Sequence, residues 1–340
     1  MSEAEGTAVD DTPDGSAEVE AVVEGIQGRD RRALAKAITL IESRRGDRAE
    51  VGQEVLERVM PLTGGSIRLG VSGIPGVGKS TLIDALGKLL LDRGQRVAVL
   101  AVDPSSTVSG GSILGDKSRM PHLAADERAF IRPSPTAANL GGVARRTREA
   151  ILLAEAAGYD VVLVETVGVG QSEVEVAQMV DFFALLLLPG SGDELQGLKK
   201  GIVELADVIV IHKADGDLAD QARRTANDYR AALRYLGASG TAREVEVLTA
   251  SAHEGEGIEE LWSLVQERWE KDRTSGALDE RRRAQQRQWF RRLVEEKVMD
   301  EFLSRAGVAS RFESLESEVA AGRKTAGGAA DELVAATRSN

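Results

Sequence analysis

Nine residues, Gly73-Ile-Pro-Gly76-Val77-Gly78-Lys79-Ser80-Thr81, constrain this chain more than any others. They follow an apolar run at 67–71 and precede a helix-like stretch at 82–90, so strand, glycine loop and helix come in that order. The pattern G-x-x-x-x-G-K-[ST] makes a phosphate-binding loop. Its glycines let backbone N–H groups and a helix N-terminus wrap close around negative oxygens. Lys79 then reaches β- and γ-phosphates, and the Ser80 hydroxyl ligates Mg²⁺.

Around this loop lie short continuous apolar runs at 97–102, 161–164, 182–188, 208–211 and 245–248, separated by stretches of helical periodicity. Runs of this kind are strands buried on both faces. The expected fold is α/β: a P-loop NTPase with a mostly parallel central sheet flanked by helices. Apolar spacing over 17–64 predicts two or three amphipathic helices as an N-terminal extension. The nucleotide domain then covers 65–272 and a helical arm 273–340, with Thr325 capping the last helix. In the arm, Trp289, Phe290, Leu293, Val294, Val298 and Phe302 form an apolar stripe that needs the core or a second subunit to cover it. Residues 1–16 carry five acids and no base, and are expected to be a disordered tail.

Composition removes several function classes. With no Cys, thiolate chemistry and Cys-ligated metals are excluded, and His122, His212 and His253 are the only histidines. A net charge of −12 argues against general nucleic-acid binding. No apolar run approaches the ~20 residues of a membrane span, and the acidic start is unlike a signal peptide. The expected location is cytoplasmic.

In parallel sheets ligands sit beyond the carboxyl ends of strands. There the chain places Asp103, after the second run, and Glu165, in Glu165-Thr-Val-Gly168-Val-Gly-Gln171. Both carboxylates are candidates to hold Mg²⁺ near the γ-phosphate, each with a capping or turn role as the plain alternative. Further on, His212-Lys213-Ala-Asp215 follows a strand. In guanine-nucleotide proteins the signature after a strand is Asn-Lys-x-Asp, whose Asp carboxylate accepts from guanine N1–H and the exocyclic amine while the Lys stem lies over the ring. Adenine leaves that carboxylate unpaired at a cost of about 1–3 kcal/mol. His212 stands where Asn is usual and still offers a donor. Ser251 and Ala252 fit a loop touching guanine O6. Val169 follows Gly168 where Ras-like enzymes have a water-orienting Gln, so slow intrinsic turnover is expected, rising when a partner orders the loops around Asp103, Gln171 and Lys199.

The glycine loop, Val102-Asp-Pro-Ser-Ser106, Gly111-Ser-Ile-Leu-Gly-Asp116-Lys-Ser-Arg-Met120, Phe130-Ile-Arg-Pro-Ser-Pro135, Leu140-Gly-Gly-Val143 and Glu165-Thr-Val-Gly-Val-Gly-Gln-Ser-Glu173 together resemble the MeaB/ArgK family from about residue 20 onward. These are GTPase chaperones of adenosylcobalamin-dependent methylmalonyl-CoA mutase, related to the human methylmalonic aciduria type A protein. The resemblance implies GTP/GDP and Mg²⁺ as cofactors, a homodimer through the C-terminal arm, gated adenosylcobalamin delivery to the mutase, and its protection or reactivation. It adds Asp116 to the Mg²⁺ residues and reads 188–201, with Gln196 and Lys199, as a switch loop. Three rivals remain: a kinase of basic amino-acid transport proteins, a GTPase serving a nickel enzyme or another acyl-CoA mutase, and a module that senses nucleotide by binding alone. No D-x-H-x-x-G motif surrounds any His, so cobalamin is expected on the partner.

Overall fold

The structure is a computed structural model describing residues 15–43, 45–102, 119–133, 140–166, 172–191, 200–237 and 245–336. Asp103, Asp116, Gln171, Gln196 and Lys199, and the acidic tail to residue 14, lie outside the described residues. The chain divides into two compact units, Met1–Leu278 and Asp279–Asn340.

The first unit is built on seven strands: β1 (Ile67–Gly73), β2 (Val97–Val102), β3 (Ala129–Arg132), β4 (Val161–Thr166), β5 (Phe182–Leu187), β6 (Val208–His212) and β7 (Glu246–Ala250). Their order is β3-β2-β4-β1-β5-β6-β7, and every pairing is parallel. Alternate residues of each strand enter opposite cores. Ala98, Leu100, Val162, Val164, Phe183, Leu185 and Ile209 face one, and Val97, Val99, Leu163, Ala184, Leu186 and Val210 the other. That two-sided burial is why these strands are continuous apolar runs rather than alternating ones. β3 has no counterpart in the sequence expectation. It is four residues long, ends on a charged Arg before Pro133, and pairs only with β2 at the sheet edge, so it lacks the long apolar run that marks the inner strands.

Three helices precede β1: α1 (Gly15–Gln27), α2 (Arg31–Glu42) and α3 (Gly46–Val59). Val19, Val22, Val23, Ile26, Leu34, Ala37, Ile38, Ile41, Val55, Leu56 and Val59 are all buried in the first of the two cores. Asp30 caps α2 by accepting from Arg32 N–H at 2.8 Å. Glu18, buried on α1, receives Lys36 at 2.8 Å and Arg48 at 2.7 Å, so one carboxylate ties all three helices. The Lys36 bond leads in holding its pKa below the usual value.

Helices α4 (Lys79–Asp92), α5 (Pro121–Ala125), α6 (Leu140–Ala156), α7 (Ser172–Ala177), α8 (Lys200–Leu205), α9 (Ala219–Gly237) and α10 (Ile258–Ser275) complete the unit. On β1, Gly70 lies so close to its neighbours that a Cβ would come within 2.9 Å of Phe183 and Val176. Arg68, also on β1, is buried and makes a bidentate pair with Glu155 of α6, 2.8 Å in each arm. Glu155 also accepts from Gly64 N–H at 2.9 Å, which fixes the chain just before it enters the sheet.

The second unit holds most of α11 (Ala277–Ser304), with α12 (Val308–Ala320) and α13 (Ala326–Ala336). Val308, Leu315, Ala329 and Leu333 form its core, with Phe302, Leu303 and Val319 packed against them. Thr325 caps α13, its hydroxyl accepting from Gly328 N–H at 3.2 Å. Along α11, Trp289 is buried, whereas Phe290, Val294 and Val298 stand 67, 43 and 59% exposed. No helix among the described residues is long and apolar enough to cross a membrane.

Candidate nucleotide site

The phosphate loop joins the end of β1, in the middle of the sheet, to the first turn of α4. Its glycines are there for backbone geometry. Gly73, Gly76 and Gly78 take φ of 150°, 78° and 99°, which side chains with a Cβ rarely adopt. At Gly73 a Cβ would also meet the Leu186 carbonyl of β5 at 2.5 Å. Gly78 is the N-cap of α4, so Lys79 and Ser80 open a helix whose first N–H groups have no intrahelical acceptor. Lys79 is buried and donates to the Gly73 and Ile74 carbonyls at 2.7 and 3.2 Å. Burial lowers its pKa, and the nearby carboxylates of Glu165 and Glu173 oppose that shift.

Glu165 comes from β4, directly beside β1 in the sheet, in register with Val71 on one side and Ala101 of β2 on the other. It is 5% exposed, and its Oε1 accepts from the Ser80 hydroxyl at 2.8 Å. The next residue, Thr166, donates to Ser72 at 2.9 Å, a second buried link between β4 and the strand that carries the loop. A hydroxyl and a carboxylate in contact are hard oxygen donors of the kind Mg²⁺ takes, and they fit that ion. Among the described residues no group of three or more His, Cys, Asp or Glu could hold a metal by itself.

The other end of the site stands beyond β6 and β7. Lys213 has a φ of 59°, a left-handed conformation unusual for a side chain with a Cβ, which turns the backbone sharply between His212 and Asp215. The Ala214 N–H bonds the Ala250 carbonyl at 3.1 Å, so the turn is tied to β7. Ser251 is fully buried. Its hydroxyl donates to Asp215 Oδ2 and accepts from Glu254 N–H at 3.1 Å. One carboxylate oxygen of Asp215 is therefore engaged, and the carboxylate plane is set from the neighbouring strand.

His212 connects the two ends. Its Nδ1 meets the Val77 carbonyl of the phosphate loop at 2.7 Å, and its Nε2 meets Ala252 N–H at 3.3 Å. Neither nitrogen is left over for a base. The roles of Ser251 on Asp215 and of Val77 on His212 have no local signature, since the partners are 36 and 135 positions apart. The other two histidines behave differently. His122 Nδ1 lies 2.8 Å from Asp84 Oδ2, at the start of α5, and His253 is exposed.

The family described as methylmalonyl-CoA mutase-associated GTPase MeaB matches residues 34–306. A probable GTPase of Mycobacterium tuberculosis is 51% identical over 325 residues, covering 96% of this chain and 95% of its own length. The mouse protein named methylmalonic aciduria type A homolog, mitochondrial, is 46% identical, covering 94% of this chain and 80% of its own length. The crystal structure of a protein named LAO/AO transport system kinase superposes with a TM-score of 0.75 at 36% identity, covering 98% of this chain and all of the other.

Proposed function

The chain belongs to the MeaB family of P-loop GTPases, and on that premise we propose that it is a GTP-hydrolysing chaperone of an adenosylcobalamin-dependent methylmalonyl-CoA mutase. The observation that carries the reading is the pairing of an assembled phosphate site, Lys79 and Ser80 against Glu165, with a base site in which Ser251 sets Asp215. The named partner of the family supplies the client.

In this reading the N–H groups of Gly76, Val77, Gly78 and Thr81 and the Lys79 ammonium hold the β- and γ-phosphates. Ser80 and Glu165, joined by Asp103 and Asp116, hold or position Mg²⁺, which when bound neutralises charge on the phosphate oxygens. Asp215 accepts from guanine N1–H and its amine, Lys213 covers the ring, and the loop at Ser251 and Ala252 faces O6, with the Ala252 N–H itself held by His212. Adenine offers Asp215 no donor in that place, so it is excluded. Val169 cannot orient a water molecule, which makes intrinsic hydrolysis slow. The mutase orders the loops around Asp103, Gln171 and Lys199, the last in the switch segment that also carries Gln196, and so raises the rate; cobalamin stays on the partner.

The exposed Phe290, Val294 and Val298 recur every four residues along α11, and a second copy of the chain covers them in a homodimer. A cytoplasmic location agrees with these partners. Phosphate release from GTP and from ATP, with and without the mutase of the same source, tests the whole reading. Slow GTP turnover that the mutase accelerates, with ATP inert, is the expected result. Equal use of ATP, or indifference to the mutase, would refute it. The kinase rival is favoured only by the name of the superposing protein. γ-Labelled nucleotide separates the two, because a chaperone GTPase releases free phosphate and labels no protein.

A further inference from the structure

Both nitrogens of the His212 ring are committed to backbone groups on different loops. The Val77 carbonyl can only accept, so Nδ1 carries a proton and donates to it at 2.7 Å. The Ala252 N–H can only donate, so Nε2 is the acceptor, at 3.3 Å. The two partners select one form of the ring, the neutral imidazole protonated on Nδ1. The ring is 3% exposed and lies against Gly78, where a Cβ would come to 2.6 Å from its Cε1.

We propose that His212 is a positioning residue that straps the phosphate loop to the base-reading loop, and that its protonation releases the strap and lowers guanine-nucleotide affinity. The inference rests on the reading of Lys213, Asp215, Ser251 and Ala252 as the base site. A protonated ring has two N–H donors. Its Nε2–H then confronts the Ala252 N–H, donor against donor, and the loop must withdraw. Ser251 withdraws with that loop, and the setting of Asp215 goes with it.

The charged groups around the ring come from three segments. Lys213 and Asp215 extend from its own strand. Lys79 stands on the phosphate-loop side, bonded to the Gly73 and Ile74 carbonyls. His253 and Glu254 follow Ala252 at exposed positions. Burial pushes the ring's pKa below its ordinary 6.5. The Val77 bond and Asp215 oppose that shift, and Lys213 adds to it. A group with a lowered pKa gives its full stabilisation above its ordinary value and loses it as pH falls through the lowered one. The strap therefore holds at neutral pH and fails on the acid side.

The test titrates fluorescent GDP into the full chain from about pH 7.5 to about pH 5, using the wild type, His212→Asn and His253→Gln, with circular dichroism confirming the fold throughout. An Asn amide can donate to Val77 and accept from Ala252 without titrating. Wild type and His253→Gln are expected to lose about tenfold in affinity across the range, and His212→Asn less than about twofold. Nitrogen-15 spectra of the wild type are expected to show the Nδ1–H ring at neutral pH. Superimposable pH profiles for wild type and His212→Asn, or an Nε2–H ring, would overturn the strap and leave the nucleotide reading standing. Failure to bind guanine nucleotide at any pH would overturn both.

Discussion

Replacing Ser251 by Ala removes one hydroxyl and tests whether Asp215 reads the base. In the structure that hydroxyl is fully buried and is the donor that sets the Asp215 carboxylate. A hydrogen bond to a charged group is worth about 1.5–3 kcal/mol. Without it the carboxylate turns freely, and the two bonds to guanine must pay for holding it still. If most of that energy is expressed in binding, the Kd for GDP rises about 10- to 150-fold. Glu254 N–H also loses its acceptor, but Glu254 is exposed, where water replaces the bond. Isothermal titration of wild type and Ser251→Ala with GDP and with IDP gives the measurement. IDP keeps N1–H and lacks the exocyclic amine, so it makes one bond to Asp215 instead of two and loses less from the same substitution. A GDP affinity within about twofold of wild type, well below the range for a charged hydrogen bond, would refute the reasoning. So would equal losses for the two nucleotides, because the damage would then not pass through the base.

Lys79→Ala is expected to abolish nucleotide binding. Glu165→Ala should keep GDP affinity within about tenfold and lower kcat by about 100-fold or more, a split read by equilibrium titration beside single-turnover kinetics. Arg68→Met leaves the buried Glu155 carboxylate without its counter-charge, with only the Gly64 N–H bond of those described above, and should cost about 3–5 kcal/mol in urea unfolding. Adding Glu155→Leu should restore most of that loss, and a double variant no better than the single would count against the pair. Glu18 has a lowered pKa, so its bonds to Lys36 and Arg48 stabilise the fold above the ordinary carboxylate range and are lost as pH falls through the lowered value. The stability gap between wild type and Glu18→Gln should therefore be open at neutral pH and close as pH falls through the lowered value. Glutamate replacing both Phe290 and Val298 should yield a monomer in sedimentation, and an unchanged sedimentation coefficient would remove α11 from the proposed dimer interface.

Much of the architecture was legible because burial on both faces leaves a plain trace in the chain. The runs at 97–102, 161–164 and 208–211 have no polar face to display, and the helical spacing of Val19, Val22, Val23 and Ile26 matches the buried face of α1. The edge strand β3 left no such trace, being short and ending on Arg132. In the site, Lys79 and Ser80 were legible because a local pattern of glycines specifies the loop around them. The double engagement of His212 was not, since its partners are 135 and 40 positions away and both are backbone groups that any residue supplies. The α11 stripe was legible as apolar, but its cover was not, because periodicity tells which side chains share a face and not what meets them. The structure buries Trp289 and leaves Phe290 open.

The strand order turns the sheet into a caliper. Glu165 is fixed on β4, the phosphate loop follows β1, and the Lys213–Asp215 turn proposed to read the base follows β6, with β5 between. Neighbouring strands stand about 4.8 Å apart, so the jaws at β4 and β6 are about 14 Å from each other. Loops at the rim can change composition without altering that opening, because it is set by backbone hydrogen bonds three ladders wide. A single nucleotide laid from γ-phosphate to base suits such a gauge, and swapping or inserting a strand between β1 and β6 would misfit it whatever side chains were kept.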